Sequence, residues 1–278
     1  MVHVDSEQPL NTGQIIFVPG FPSEWVLARN IVVWLPPGYE SETNRRYSVL
    51  YAHDGQNLFD PHTAFAGVDW GLDQTLSRLL ALEEIRQTLV VGVWNTPQRY
   101  REYDPQQVFE RYLSHDEQDA YLLEYGRPLS DRYLQFLVEE LKPFIDREYR
   151  TLPGRGDTFL LGSSMGGLIS LYGLCEYPEV FGGAGCLSTH WPAAGGKMAA
   201  YLTDHLPCPQ SHRLYFDFGT ETIDAQYEPY QLQVDQVLQN RGYQAESNWM
   251  TRKYFGEDHS EYAWRRRLHI PLRFLLTP

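Results

Sequence analysis

The sequence predicts an α/β fold, with a mostly parallel sheet of eight strands flanked by helices in one domain over residues 1–278. Three observations carry this expectation. Eight short apolar, β-branched runs recur along the chain, and most are spaced by segments that can hold a helix, the pattern of parallel crossovers. A chain of 278 residues, 42% of them hydrophobic, can bury one large core. One stretch, TFLLGSSMGGLISLYG at 158–173, reads as a strand, a tight turn and a helix in succession.

The first two runs, QIIFV (14–18) and NIVVWL (30–35), flank a polar region containing proline and glycine and can pair antiparallel. The other six are YSVLYA (47–52), TLVVGVW (88–94), TFLLG (158–162), GAGCLS (183–188), RLYFDF (213–218) and NWMTRKYF (248–255). Within SDRYLQFLVEELKPFID, Leu134, Leu137, Val138, Leu141 and Ile145 share one helical face, with Ser130 or Asp131 as the cap. A second helix, QLQVDQVLQNRG (231–242), ends at Gly242. Residues 96–130 are polar, aromatic-rich and too long for a simple connection, so they read as an insertion near the mouth of a site.

Net charge excludes some partners. At −13, with no basic run to track phosphates, the chain is poorly suited to nucleic acid or an anionic membrane. Cys175, Cys186 and Cys208 show neither CxxC spacing nor the density of a disulfide scaffold, and read as buried thiols with one disulfide left open. The amino end, MVHVDSEQPLNTG, lacks the charged and apolar regions of a signal peptide, and no run of 18 apolar residues occurs. The expectation is a soluble chain, cytoplasmic as it stands; export with a removed leader would leave the same sequence.

Gly162-Ser163-Ser164-Met165-Gly166 fits G-x-S-x-G. By chance three such positions match in about one chain of this length in ten, so the flanks and the rest of the chain must carry the reading. Ser164 is the centre because only that register leaves glycines at −2 and +2, where side chains would collide in the turn; Ser163 is a neighbour. An alcohol needs a base to take its proton, and acyl transfer needs donors for an oxyanion. With the chain order serine, acid, histidine, the base belongs in a loop after the last strand, which is where His259 lies in YFGEDHSEYAW. His3, His62, His115, His205, His212 and His269 lie in terminal, polar or unplaced contexts, where a solvated or locally bonded imidazole is the default. The acid is expected just past RLYFDF, at Asp224 with Glu221 in reserve, while Asp217 falls inside the strand run. His53 follows an earlier strand in LYAHDGQNLFD, where Gly55 lets the backbone turn its N–H groups inward. The oxyanion donors are then Met165 N–H and Gln56 N–H, with Gly55 N–H as the alternative.

Six blocks in order, LYAHDGQNLFD, VVGVWNTPQRYREYDP, LVEELKPFIDREYR, LLGSSMGGLISLYGL, GTETID and GEDHSEYAW, resemble the esterase family that includes enterochelin esterase-like, feruloyl esterase-like and S-formylglutathione hydrolase-like enzymes. The resemblance covers nearly the whole chain from about Arg29 onward. It implies an α/β-hydrolase fold and a serine esterase mechanism that needs no metal or other cofactor, with Ser164 as nucleophile and His259 as base. The family spans siderophore lactones, feruloylated or acetylated sugars and thioesters, and its members differ in their acid.

The leading expectation is a carboxylic ester hydrolase acting on a small-molecule ester. Acyl transfer to a sugar or other alcohol would use the same residues. A non-catalytic binding protein on the same fold is the third reading, and it has no chemical need for the full set of serine, histidine, acids and glycines. His190 and Trp191 in LSTHWPA follow the strand after the nucleophile helix and are candidates for the substrate pocket, together with Arg99. Trp70, Trp94, Asn95, Arg101 and Glu102 are weaker candidates of the same kind.

Overall fold

A computed structural model describes residues 12–278. His3 and most of the amino-terminal segment read for a leader lie outside the described residues.

All eight apolar runs form strands: β1 (Gln14–Phe21), β2 (Arg29–Leu35), β3 (Ser48–His53), β4 (Thr88–Val93), β5 (Thr158–Ser163), β6 (Gly183–Leu187), β7 (Arg213–Gly219) and β8 (Trp249–Tyr254). They make one sheet in the order β1-β2-β4-β3-β5-β6-β7-β8. The β1–β2 and β2–β4 pairs are antiparallel and the rest are parallel. Strands from β3 to β7 are buried on both faces, which is why their runs are almost continuously apolar.

Eleven α-helices are described: α1 (Leu72–Ala81), α2 (Arg99–Tyr103), α3 (Gln106–Tyr112), α4 (His115–Tyr125), α5 (Ser130–Gln135), α6 (Lys142–Glu148), α7 (Met165–Glu176), α8 (Met198–His205), α9 (Glu228–Asn240), α10 (Glu261–Arg267) and α11 (His269–Leu276). They divide between the two faces of the sheet. Leu50 and Ala52 of β3 point to the face covered by α1, α10 and α11, through Leu76, Leu79, Leu272 and Leu275. Val49 and Tyr51 point to the other, where Leu134, Leu168, Leu202 and Leu238 meet them in the larger core. Among the described residues no helix is long and apolar enough to cross a membrane.

The helix expected over 130–146 forms, with two differences. Neither Ser130 nor Asp131 caps it: Leu129 occupies that position, Ser130 Oγ accepts from Gln106 N–H, and Asp131 accepts from the Tyr172 hydroxyl. Between α5 and α6 the backbone is π-helical over Phe136–Leu141, which brings Phe136 into the core and leaves Val138 only partly buried. The 231–242 helix starts earlier, at Glu228, and Gly242 follows its end at φ 86°. Cys175 and Cys186 are buried free thiols, and Cys208 is an exposed one rather than a buried one. Residues 96–130 hold α2, α3 and α4, anchored by buried Tyr103, Val108, Phe109 and Tyr121.

Candidate active site

The centre of the sheet delivers Ser164. It stands between β5 and α7 at φ 57°, ψ −122°, a region that non-glycine residues rarely occupy. A Cβ on Gly162 would come within 2.4 Å of the Gly166 backbone, the collision that the G-x-S-x-G register requires glycines to avoid. Leu187 O accepts from Ser164 N–H at 2.8 Å, and Ser164 O accepts from His190 N–H at 3.1 Å, so the turn is tied to the end of β6. Met165 begins α7, whose first N–H groups have no acceptor within the helix.

His259 lies in the loop after β8, and that loop is fastened to the one after β7. Glu257 O accepts from Thr220 N–H and Glu221 N–H, each at 3.0 Å, and Thr222 Oγ1 accepts from His259 N–H at 3.0 Å. Gly219 permits this approach, because a Cβ there would sit 2.1 Å from Glu257 O. The result brings His259 Nδ1 to 2.6 Å from Asp224 Oδ1. Trp264 and Tyr227 meet the imidazole in T-shaped contacts, with centroids 5.0 and 5.9 Å away.

Asp224 is fully buried. Its other oxygen, Oδ2, accepts from the Ser188 hydroxyl at 2.6 Å and Gly219 N–H at 2.7 Å. Burial alone would raise its pKa, but the hydrogen bonds from His259, Ser188 and Gly219 hold it below the ordinary carboxylate value. Glu221 is exposed and makes no such contact. Asp217 is engaged elsewhere, in a buried pair with Arg267 at 2.8 Å.

The loop after β3 closes the other side. Its left-handed residue is Asp54, at φ 56°, not Gly55 as the sequence suggests. Gly55 is required for a different reason: a Cβ there would lie 2.5 Å from the Gly92 backbone. Arg99 grips Asp54 with two bonds of 2.7 Å, and Asn95 Nδ2 adds a third of 2.7 Å. These hold the buried Asp54 carboxyl below its usual pKa against the opposing effect of burial. His53 is pushed down to about 3 by burial, and bonds Tyr133 through Nδ1 at 2.8 Å.

Ser163, Ser164 and His259 open onto one cavity of about 540 Å³, to which Gln56, Asn95, Thr96 and Arg99 also contribute. Six of its walls were not named from sequence: Asn57, Thr63, Phe65, Thr96, Glu261 and Trp264. Glu261 follows His259 by two residues, and burial raises its pKa. Trp191 does not line this cavity; it is buried in the core against Phe216. His190 stands beside the cavity rather than in its walls, bonded to the Tyr227 hydroxyl at 2.8 Å and pushed down to about 4, first by burial and then by His259 and Arg99. Trp70 packs on Trp264, Glu102 pairs with buried Arg29, Arg101 bonds Arg127 O, and Trp94 faces a separate apolar recess. His205 and His212 bond backbone carbonyls of Tyr201, Cys208 and Pro178.

Sheet order, strained serine turn and acid-bound histidine together define an α/β-hydrolase fold. Residues 27–274 match the Esterase family model, described as "Putative esterase", and the chain belongs to that family of carboxylic ester hydrolases. A solved ferulic acid esterase is similar at 17% identity and TM-score 0.68, over 95% of this chain and 98% of the other. An IroE-like serine hydrolase from Shewanella oneidensis is similar at 20% identity and TM-score 0.68, over 95% and 79%. The uncharacterized protein YbbA of Bacillus subtilis is 21% identical over 196 residues, which cover 69% of this chain and 68% of that protein.

Proposed function

We propose that this chain hydrolyses small carboxylic esters through an acyl-enzyme, with Ser164 as nucleophile, His259 as base and Asp224 as acid. The observation that carries the reading is the 2.6 Å contact from His259 Nδ1 to a buried, three-times hydrogen-bonded carboxylate, beside the strained turn of Ser164. With Nδ1–H donated to Asp224, Nε2 is left as the acceptor. It takes the Ser164 proton as Oγ attacks the acyl carbon, and returns it to the leaving alcohol. Met165 N–H and Gln56 N–H, or Gly55 N–H, receive the oxyanion. Water then repeats the attack and releases the acid. Segment 96–130 belongs to the same single domain and walls the cavity through Thr96 and Arg99, which is the contribution that supports its reading as a rim.

Turnover of a chromogenic short-acyl ester, with peptide mapping of a fluorophosphonate adduct, tests the proposal. The adduct is expected on Ser164. Modification of Ser163, or turnover with no labelled serine, overturns it.

A further inference from the structure

Ser188 directly follows β6 in the left-handed region at φ 42°, fully buried, and no step of the proposed reaction uses it. Its hydroxyl has three neighbours within 3.0 Å: Asp224 Oδ2 at 2.6 Å, Arg267 Nη2 at 2.9 Å and Trp264 Nε1 at 3.0 Å. Guanidinium and indole nitrogens only donate. The single hydroxyl hydrogen therefore has one destination, the Asp224 carboxylate. Its backbone is fixed as firmly, with Ser188 N–H donating to Asp217 O at 2.9 Å and to Asp217 Oδ1 at 3.2 Å. Asp217 in turn holds Arg267 through both carboxylate oxygens, at 2.8 and 3.2 Å.

We propose that Ser188 is a positioning residue for the catalytic acid, with the Arg267–Asp217 pair and Trp264 fixing its hydroxyl so that the Asp224 carboxylate is held in the plane that presents one oxygen to His259. The role rests on the reading of Asp224 as the acid. Rotation of the carboxylate out of this plane would break the bonds from Ser188 and Gly219 and leave the Ser188 hydrogen facing donors. The orientation of the carboxylate toward the imidazole is thus set by a side chain that takes no part in the proposed bond changes. The left-handed backbone turns that hydroxyl inward at the strand end.

Ser188→Gly tests this, because glycine accepts φ 42° without strain and only the small hydroxymethyl group is lost. Its kcat is expected to fall about tenfold with KM within about twofold, and to fall no further when Ser188→Gly is added to Asp224→Asn. Ser188→Cys keeps the volume, offers a weaker donor and should give an intermediate kcat, which maintains the test if the glycine variant does not fold. An equal loss in both backgrounds, or a lowered Tm with kcat intact, overturns the role. A crippled Asp224→Asn beside an unaffected Ser188→Gly overturns Ser188 alone. An active Asp224→Asn removes the acid assignment and the Ser188 proposal with it.

Discussion

Asp224→Asn exchanges one carboxylate oxygen for an amide nitrogen, and the surroundings decide which one. At the Oδ2 position two donors converge, Gly219 N–H at 2.7 Å and the Ser188 hydroxyl at 2.6 Å, and the latter cannot turn its hydrogen toward Arg267 or Trp264. An amide NH₂ there would face donors on both sides. The amide oxygen takes that position instead, and the NH₂ turns to His259 Nδ1. That nitrogen must then accept, which moves the ring proton to Nε2 and removes the lone pair that would take the Ser164 proton. The expected loss in kcat is about 10⁴, or about 5.5 kcal/mol of barrier, with KM little changed. Kinetics on a chromogenic ester at fixed pH, with circular dichroism to check folding, measure the loss. ¹⁵N NMR of the histidine ring reads the tautomer. A kcat within tenfold of wild type, or a ring that stays protonated on Nδ1, refutes the reasoning. Glu221→Gln serves as the control and should remain near wild type.

Ser164→Ala should lower kcat by roughly 10⁶, while Ser163→Ala retains a measurable fraction; equal losses would reassign the nucleophile. Activity should survive EDTA, because the proposed chemistry needs only protein groups, and loss restored by a divalent ion would demand another mechanism. Arg99→Leu should destabilise by about 1–3 kcal/mol at pH 7, less than breaking a fully buried pair, because the Arg99 side chain is 31% exposed while Asp54 is buried. The folded Asp54 carboxyl titrates below its ordinary 3.8, so its contribution is present above that value and is lost as pH falls through the lower folded one. The Tm gap between wild type and Arg99→Leu should therefore narrow below about pH 4, and a constant gap would show that the pair is not its source. Gly162→Ala should lose at least the upper end of the about 1–3 kcal/mol typical of overpacking, since its Cβ meets backbone at 2.4 Å; a wild-type Tm would contradict the turn geometry.

Much of this architecture was legible because its causes are local. Buried parallel strands need apolar runs, and all eight runs became strands. The serine turn announces itself because two backbones approach too closely for any side chain. Chain order and loop position point to Asp224 as the candidate acid, whereas its contact with His259 in place of Glu221 depends on Glu257 O pinning the loop, a contact between segments more than thirty residues apart. Nothing in LSTHWPA marks Ser188 as the hub or Trp191 as core. That division follows from a positive φ and from which way the chain turns after β6. The π-helical stretch after α5 escaped for the same reason, since a periodicity of apolar residues does not report one extra residue in a turn.

The loop after β3, the proposed source of an oxyanion donor, is held by contacts of the same non-local kind. Gly166 lets α7 come so close that a Cβ there would lie 3.3 Å from Asp54 Oδ2 and 3.4 Å from His53 Cβ. Neutral His53 is locked by Tyr133, Asp54 by Arg99 and Asn95, and Gly55 by the Gly92 backbone. In the proposed reaction the two N–H donors come from these two segments, Met165 from the helix and Gln56 from the loop. Donors aimed in advance stabilise a developing charge without reorganising at the moment of reaction. The Arg99–Asp54 pair, though it lines the cavity, is already satisfied within the protein. Its first effect is to hold the loop against the helix, so a perturbation there should appear in kcat before it appears in KM.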